Sequence, residues 1–97
     1  MTPIASIVSD ELAAVAYTEW RLTATSILPA WSTLASWQRI RWVWAVEGTT
    51  PEDMRERCCV GIYLDPWDEL APFQRRRWER VFGTVQRARA ERLAQPA

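Results

Sequence analysis

Apolar positions along this chain recur at the spacing of helices. Leu12, Val15 and Ala16 make one stripe, and Ala13, Tyr17, Trp20 and Ala24 make another, the three-and-four rhythm of an amphipathic helix. Ser9 is the expected N-cap, and Asp10 and Glu11 suit the positive end of the helix dipole. The Thr/Ser cluster that follows, together with Pro29, closes the segment. A second helix is expected over "SWQRIRWVWAVEG", with Ser36 as its cap and Gly48 as its stop. Trp37, Ile40, Val43 and Trp44 share one of its faces, and Trp42 and Val46 share another. A helix apolar over so much of its circumference is central to a core or part of an interface.

"TTPEDMRER" opens a third helix. Thr50 caps it, Pro51 takes the first helical position, and Glu52 and Asp53 fill the first turn. It should turn Met54, Cys58 and Ile62 inward and end before Asp65-Pro66. The last helix should run from about Pro72 into the nineties on a stripe of Trp78, Val81, Phe82, Val85 and Ala88, with arginines over the remaining surface. The final "AQPA" is expected to fray. Alternation of the strand type never lasts.

One stretch is written twice. "WSTLASWQRIRW", Trp31 to Trp42, is answered by "WDELAPFQRRRW", Trp67 to Trp78, with Phe73 standing for Trp37. Each copy reads as a corner. Its first Trp folds back under the following helix, Leu34 or Leu70 locks the turn, and Trp42 or Trp78 faces it from inside the helix. The expected fold is all-α, a small bundle of about four helices built from two helix–Trp corner–helix units, about 9–48 and 50–94, in one domain spanning 1–97.

The chain has 97 residues, near the lower limit for a self-sufficient core, so a homo-oligomer is expected. Seven residues are Trp, none is His, and all twelve basic residues are Arg. Every basic side chain is therefore a planar, permanently charged fork. The net charge is zero, which argues against a dedicated DNA binder and against an acidic mimic of DNA. The charge is uneven, however. Acids crowd Glu47 to Glu69, and arginines crowd the chain from Arg75 onward. The two regions can pair within the fold or between subunits. Non-specific nucleic-acid binding by the basic tail is a weaker option, marked by steep salt dependence.

Cys58 and Cys59 are adjacent, a geometry that opposes a mutual disulfide. Both read as buried thiols in a reducing compartment. The N-terminus lacks the features of a signal peptide and no stretch approaches a membrane span. A soluble, cytoplasmic protein with no membrane association is expected.

Catalysis has little to stand on. Without His or Lys the usual general bases and Schiff-base nucleophiles are missing. Asp65, Asp68 and Glu69 read as turn and first-turn acids, and Glu52, Asp53 and Glu56 as a solvated helix start rather than a cation site. No enzyme activity, cofactor or metal is expected. Binding has more support. Seven Trp exceed what so small a core hides, and Trp37 and Trp44 are the candidates for exposure. An indole stacks on a purine and a guanidinium grips its phosphate. The candidate ligand-binding residues are Tyr17, Trp20, Trp37, Arg39, Arg41, Trp44, Arg75 and Arg77. The plainer reading of Arg39 and Arg41 is ion pairing with acids of the middle segment.

"AYTEW…LPAWSTL…QRIRW" and "YLDPWDELAPFQRRRW" resemble the ryanodine-receptor repeat (RyR) domain and its small phage and bacterial relatives. In that family a helix ending in an aromatic leads into a P-Y/W-x-E-L corner. "DPWDEL", Asp65 to Leu70, is the better match, and "PAWSTL", Pro29 to Leu34, the weaker one. Tyr17 stands before Trp20 where the family carries a His. The resemblance implies a nucleotide-derived ligand. Two functions are expected. One is a small phage-encoded binding protein that sequesters or senses such a ligand in the host cytoplasm, with Trp and Arg converging on a closed pocket. The other is a protein-interaction module, such as an anti-CRISPR-like inhibitor of a host protein or a phage accessory subunit, with a flat exposed Trp/Arg surface.

Overall fold

The computed structural model describes residues 4–24, 27–61 and 64–94, with side chains for 9–24, 27–61 and 64–92. The order of elements is α1 (Ile4–Leu22), a 3-10 turn (Trp31–Thr33), α2 (Ser36–Ala45), α3 (Pro51–Cys58), a second 3-10 turn (Trp67–Glu69) and α4 (Pro72–Ala94). The fold is all-α. Each helix packs on its neighbours in sequence, and α4 returns to pack along α1, which closes a four-helix ring.

Small residues make that closure possible. Ala13, Ala16 and Ala45 are fully buried and let the helices approach, while Leu12, Met54, Val81 and Val85 fill the space between them. Trp42 and Trp78 bring the two corners into the same core. The two corners share their hydrogen bonds. The Leu34 N–H donates to the Trp31 carbonyl at 3.1 Å, and the Leu70 N–H to the Trp67 carbonyl at 3.2 Å. The Ala35 N–H donates to Gln38 Oε1 at 3.0 Å, and the Ala71 N–H to Gln74 Oε1 at 3.1 Å.

Three helix ends differ from expectation. α1 begins at Ile4, ahead of Ser9. The Ser9 hydroxyl donates to Glu47 Oε1 at 2.7 Å, so it has a tertiary partner and does not compete for backbone as a cap would. α2 is capped at Ala35 rather than Ser36, because the Gln38 side chain supplies the missing acceptor for Ala35. Gly48 does not end α2 through a left-handed backbone, since Gly61 alone among the described residues has positive φ. Gly48 is needed for space: a Cβ there would lie 2.8 Å from the Met54 nitrogen. The α3 start agrees with expectation. Thr50 Oγ1 accepts from the Asp53 N–H at 3.0 Å, and Pro51 holds the first position. Ile62 lies outside the described residues, as do 95–97 of the final "AQPA" expected to fray, while Ala94 of that stretch is the last residue of α4.

Among the described residues the ion pairs of the basic last helix run to α1. Arg80 pairs with Glu19 and Arg92 with Glu11. Arg89 donates to the Val46 carbonyl at the end of α2, and Arg77 donates to the Trp20 carbonyl near the end of α1. Arg89 thus reaches a carbonyl that the end of α2 leaves open, whereas Arg77 joins the Thr23 N–H and hydroxyl, which already donate to the Trp20 carbonyl. Among the described residues no helix is long and apolar enough to cross a membrane.

Candidate functional site

Trp20 stands at the centre of an aromatic column. Its ring centre lies 4.4 Å from that of Trp78 and 6.0 Å from that of Trp42, and Trp42 and Trp78 stack with centres 6.1 Å apart. Tyr17 joins at 5.7 Å from Trp42, edge-on, and its hydroxyl donates to the Pro29 carbonyl at 2.6 Å.

A cleft opens on each side of this column, and Trp20 lines both. Leu34, Trp37, Gln38, Arg41 and Trp42 line the first. Leu70, Phe73, Gln74, Arg77 and Trp78 line the second. These are the same five positions of the repeated stretch. Matching positions of the two stretches thus line two separate hollows. They differ in their third wall and in size. The first has Tyr17 of α1 as its wall and a volume of about 260 Å³. The second has Arg55 and Cys59 from the α3 end and a volume of about 580 Å³, which falls in the range of small-molecule sites.

Arg55 gives the larger cleft its chemistry. It is 6% exposed, the one charged residue that is buried among the described residues. Its guanidinium makes no hydrogen bond or ion pair among the described residues. Among the described residues no buried side-chain nitrogen is both sealed from solvent and unsatisfied, so the N–H groups of Arg55 keep some contact with solvent, and the residue lines the cleft. A guanidinium so little exposed and without a protein partner favours an anion that reaches it from the cleft. Arg77 stands across the same cleft, and burial lowers its pKa below the ordinary guanidinium value. Part of its fork is already occupied. Nε donates to Thr23 Oγ1 at 2.8 Å, Nη2 donates to the Trp20 carbonyl at 2.9 Å, and the plane lies over the Trp20 ring at 3.1 Å from its centre.

The two cysteines are free thiols in unlike settings. Cys58 is buried, and its hydrogen bond to Cys59, with desolvation, holds its proton on. Cys59 is half-buried on the cleft wall. The hydrogen bond from Cys58 pulls its pKa down to about 7, with Arg55 and Arg41 adding to the pull and burial opposing it. The expectation that both thiols are buried is thus corrected for Cys59, which is half-buried.

The eight residues singled out in the sequence do not converge on one place. Tyr17, Trp20, Trp37 and Arg41 share the smaller cleft. Arg41 lies over the Trp37 ring at 5.3 Å and forms no ion pair among the described residues, nor does Arg39. Trp20 and Arg77 share the larger cleft. Arg39 borders a separate shallow hollow beside Trp31 and Ile40. Trp44 is exposed on the outer face of α2, and Arg75 is half-buried on α4; neither lines either cleft. Sequence reasoning missed Arg55 and Cys59. Their separation of one helical turn, which sets both on one side of α3, was the available signal. The chain matches no protein-family model, and no curated protein and no solved structure matches it.

Proposed function

We propose that this chain is a non-catalytic binding module that holds a nucleotide-derived small molecule in the cleft between α1, α3 and α4. The observation that carries the reading is Arg55, a buried guanidinium with no hydrogen bond or ion pair among the described residues, in a cleft of about 580 Å³ whose wall holds two guanidinium groups, Arg55 and Arg77, against one carboxylate, Asp65. Phosphate on Arg55 relieves that unmatched charge, and the unused donors of Arg77 and Gln74 add to the grip. Phe73, 64% exposed at the rim, offers a ring face to a base. The resemblance to RyR domains favours the same ligand class.

The test is intrinsic Trp fluorescence with thermal melting, against nucleotides, cyclic dinucleotides and ADP-ribose derivatives. A base in this cleft quenches Trp20 and Trp78. Binding to the folded state alone adds about 2.7 kcal/mol at a hundredfold excess over Kd. Arg55→Met should abolish both signals. Silence across the panel at millimolar ligand sinks the reading.

A second reading rests on a different surface. Trp37, Ile40 and Trp44 are 60%, 48% and 50% exposed along the outer face of α2. An aromatic row of this kind, flanked by Arg39 and Arg41, suits a protein partner. Trp37→Ser combined with Trp44→Ser would abolish capture of that partner and leave nucleotide quenching intact. The opposite pattern excludes it.

A further inference from the structure

The larger cleft holds a thiol beside its unpaired arginine. Cys59 follows Arg55 by one helical turn, and the Cys59 N–H donates to the Arg55 carbonyl at 3.1 Å. Both side chains line the same hollow. Arg55 is more than nine-tenths buried and has no partner among the described residues. With Arg77 it outweighs the one carboxylate of the lining, Asp65, so the hollow draws anions toward the wall that carries Cys59. A thiol in an electropositive, partly open setting is the reactive kind, and a sealed thiol such as Cys58 is the inert kind.

We propose that Cys59 is a covalent modification site for small anionic disulfides of the glutathione disulfide class, guided to the sulfur by Arg55. Cys59 loses its proton to solvent, and the thiolate attacks one sulfur of the disulfide. The S–S bond breaks, a mixed disulfide forms on Cys59, and the other half leaves as a thiolate that takes a proton from water. The incoming disulfide is the oxidant, and no other is required. Cys58 does not resolve the adduct, because neighbouring residues close a disulfide only with strain. The adduct therefore persists until an external thiol removes it. It places its own carboxylates over Arg55 and fills the cleft, so modification shuts the site to other anions. A pKa of about 7 at Cys59 supports thiolate chemistry near neutral pH.

The experiment follows thiol reaction in the whole chain at neutral pH, without nucleotide. The dianionic aromatic disulfide DTNB is compared with the dicationic disulfide cystamine. Each rate is divided by that of a blocked cysteine, which has no neighbouring charge. One fast-reacting thiol is expected, retained in Cys58→Ser and lost in Cys59→Ser. The normalised preference for DTNB should be about tenfold or more at low salt, and should fall toward unity in Arg55→Gln or at high salt. A fast phase that survives Cys59→Ser overturns the proposal, as does a preference no greater than that of the blocked cysteine. If Arg55→Gln does not fold, the preference of the unaltered chain and its salt dependence decide the matter. Because no nucleotide is present, failure here leaves the nucleotide reading standing, and failure of the nucleotide panel leaves this one standing.

Discussion

The Arg77 guanidinium lies over the Trp20 ring, 3.1 Å from its centre, and at the same time donates to the Trp20 carbonyl at 2.9 Å. One side chain thus covers the face of a tryptophan and caps the helix that carries it. The cation–π contact is worth about 0.5–2 kcal/mol. A hydrogen bond from a charged donor is worth about 1.5–3 kcal/mol. Arg77→Ala should therefore cost about 2–3 kcal/mol in chemical denaturation, allowing for overlap between the two. Arg77→Lys should recover less than half, since a point charge cannot span the ring, the carbonyl and Thr23 together. An unchanged denaturation midpoint in Arg77→Ala would remove Arg77 from the structure-holding role.

The glutamines at the two corners do the same work. Gln38 accepts from Ala35, and Gln74 accepts from Ala71, each three residues back. Gln38→Ala and Gln74→Ala should each lower stability by about 0.5–1.5 kcal/mol. The two costs should agree within a few tenths and should add in the double variant, because the sites share no partner. A large cost at one corner and none at the other, read from urea midpoints, would break the equivalence.

The corners were legible because they are local. Trp, Leu, Gln and Trp recur in one order, and each makes its bonds within a few residues of its own position. The α3 start was legible for the same reason, since Thr50, Pro51 and Asp53 carry their geometry in their own side chains. The α1 start was not, because Ser9 is answered by Glu47, far along the chain. The site was partly legible. Aromatic and arginine residues of the repeated stretch do line hollows, yet two hollows rather than one. Which hollow is the larger depends on α3, whose Arg55 looks in sequence like any solvated helix charge. Its burial arises only when α3 is laid against α4. The roles of Arg77 and Arg89 as caps on other helices are long-range as well.

Two glycines should respond to the same substitution with opposite sign. A Cβ at Gly48 would meet the Met54 nitrogen at 2.8 Å, the Met54 Cα at 2.9 Å and the Ala45 carbonyl oxygen at 3.0 Å. All three are backbone atoms that cannot rotate away. Gly48→Ala should therefore cost about 1–3 kcal/mol as overpacking. At Gly83, inside α4, the nearest atom is the mobile end of Arg87 at 3.6 Å. Gly83→Ala should raise stability by about 0.5–1 kcal/mol through helix propensity. Thermal melts of the two variants should move apart from the parent in opposite directions. A Gly48→Ala chain as stable as the parent would mean that the α2–α3 junction is not tightly packed.

Asp53 links the start of α3 to pH. Its Oδ2 accepts from the Thr49 N–H at 3.0 Å and from Arg57 Nε at 3.2 Å. The backbone hydrogen bond from Thr49, with the charge of Arg57, lowers its pKa in the folded chain below the ordinary value of 3.8. The stability it contributes is thus fully present above its unfolded pKa, about 3.9. It is lost as pH falls through the lower folded value. Asp53→Asn keeps an acceptor for Thr49 but removes the charge. For so exposed a group the difference at neutral pH should be modest, about 0.5 kcal/mol. Melting temperatures of the two chains, followed from neutral to acid pH, should converge as the carboxylate of the parent takes up its proton. A gap that stays constant or widens toward acid would show that the charge of Asp53 plays no part in holding the α3 start.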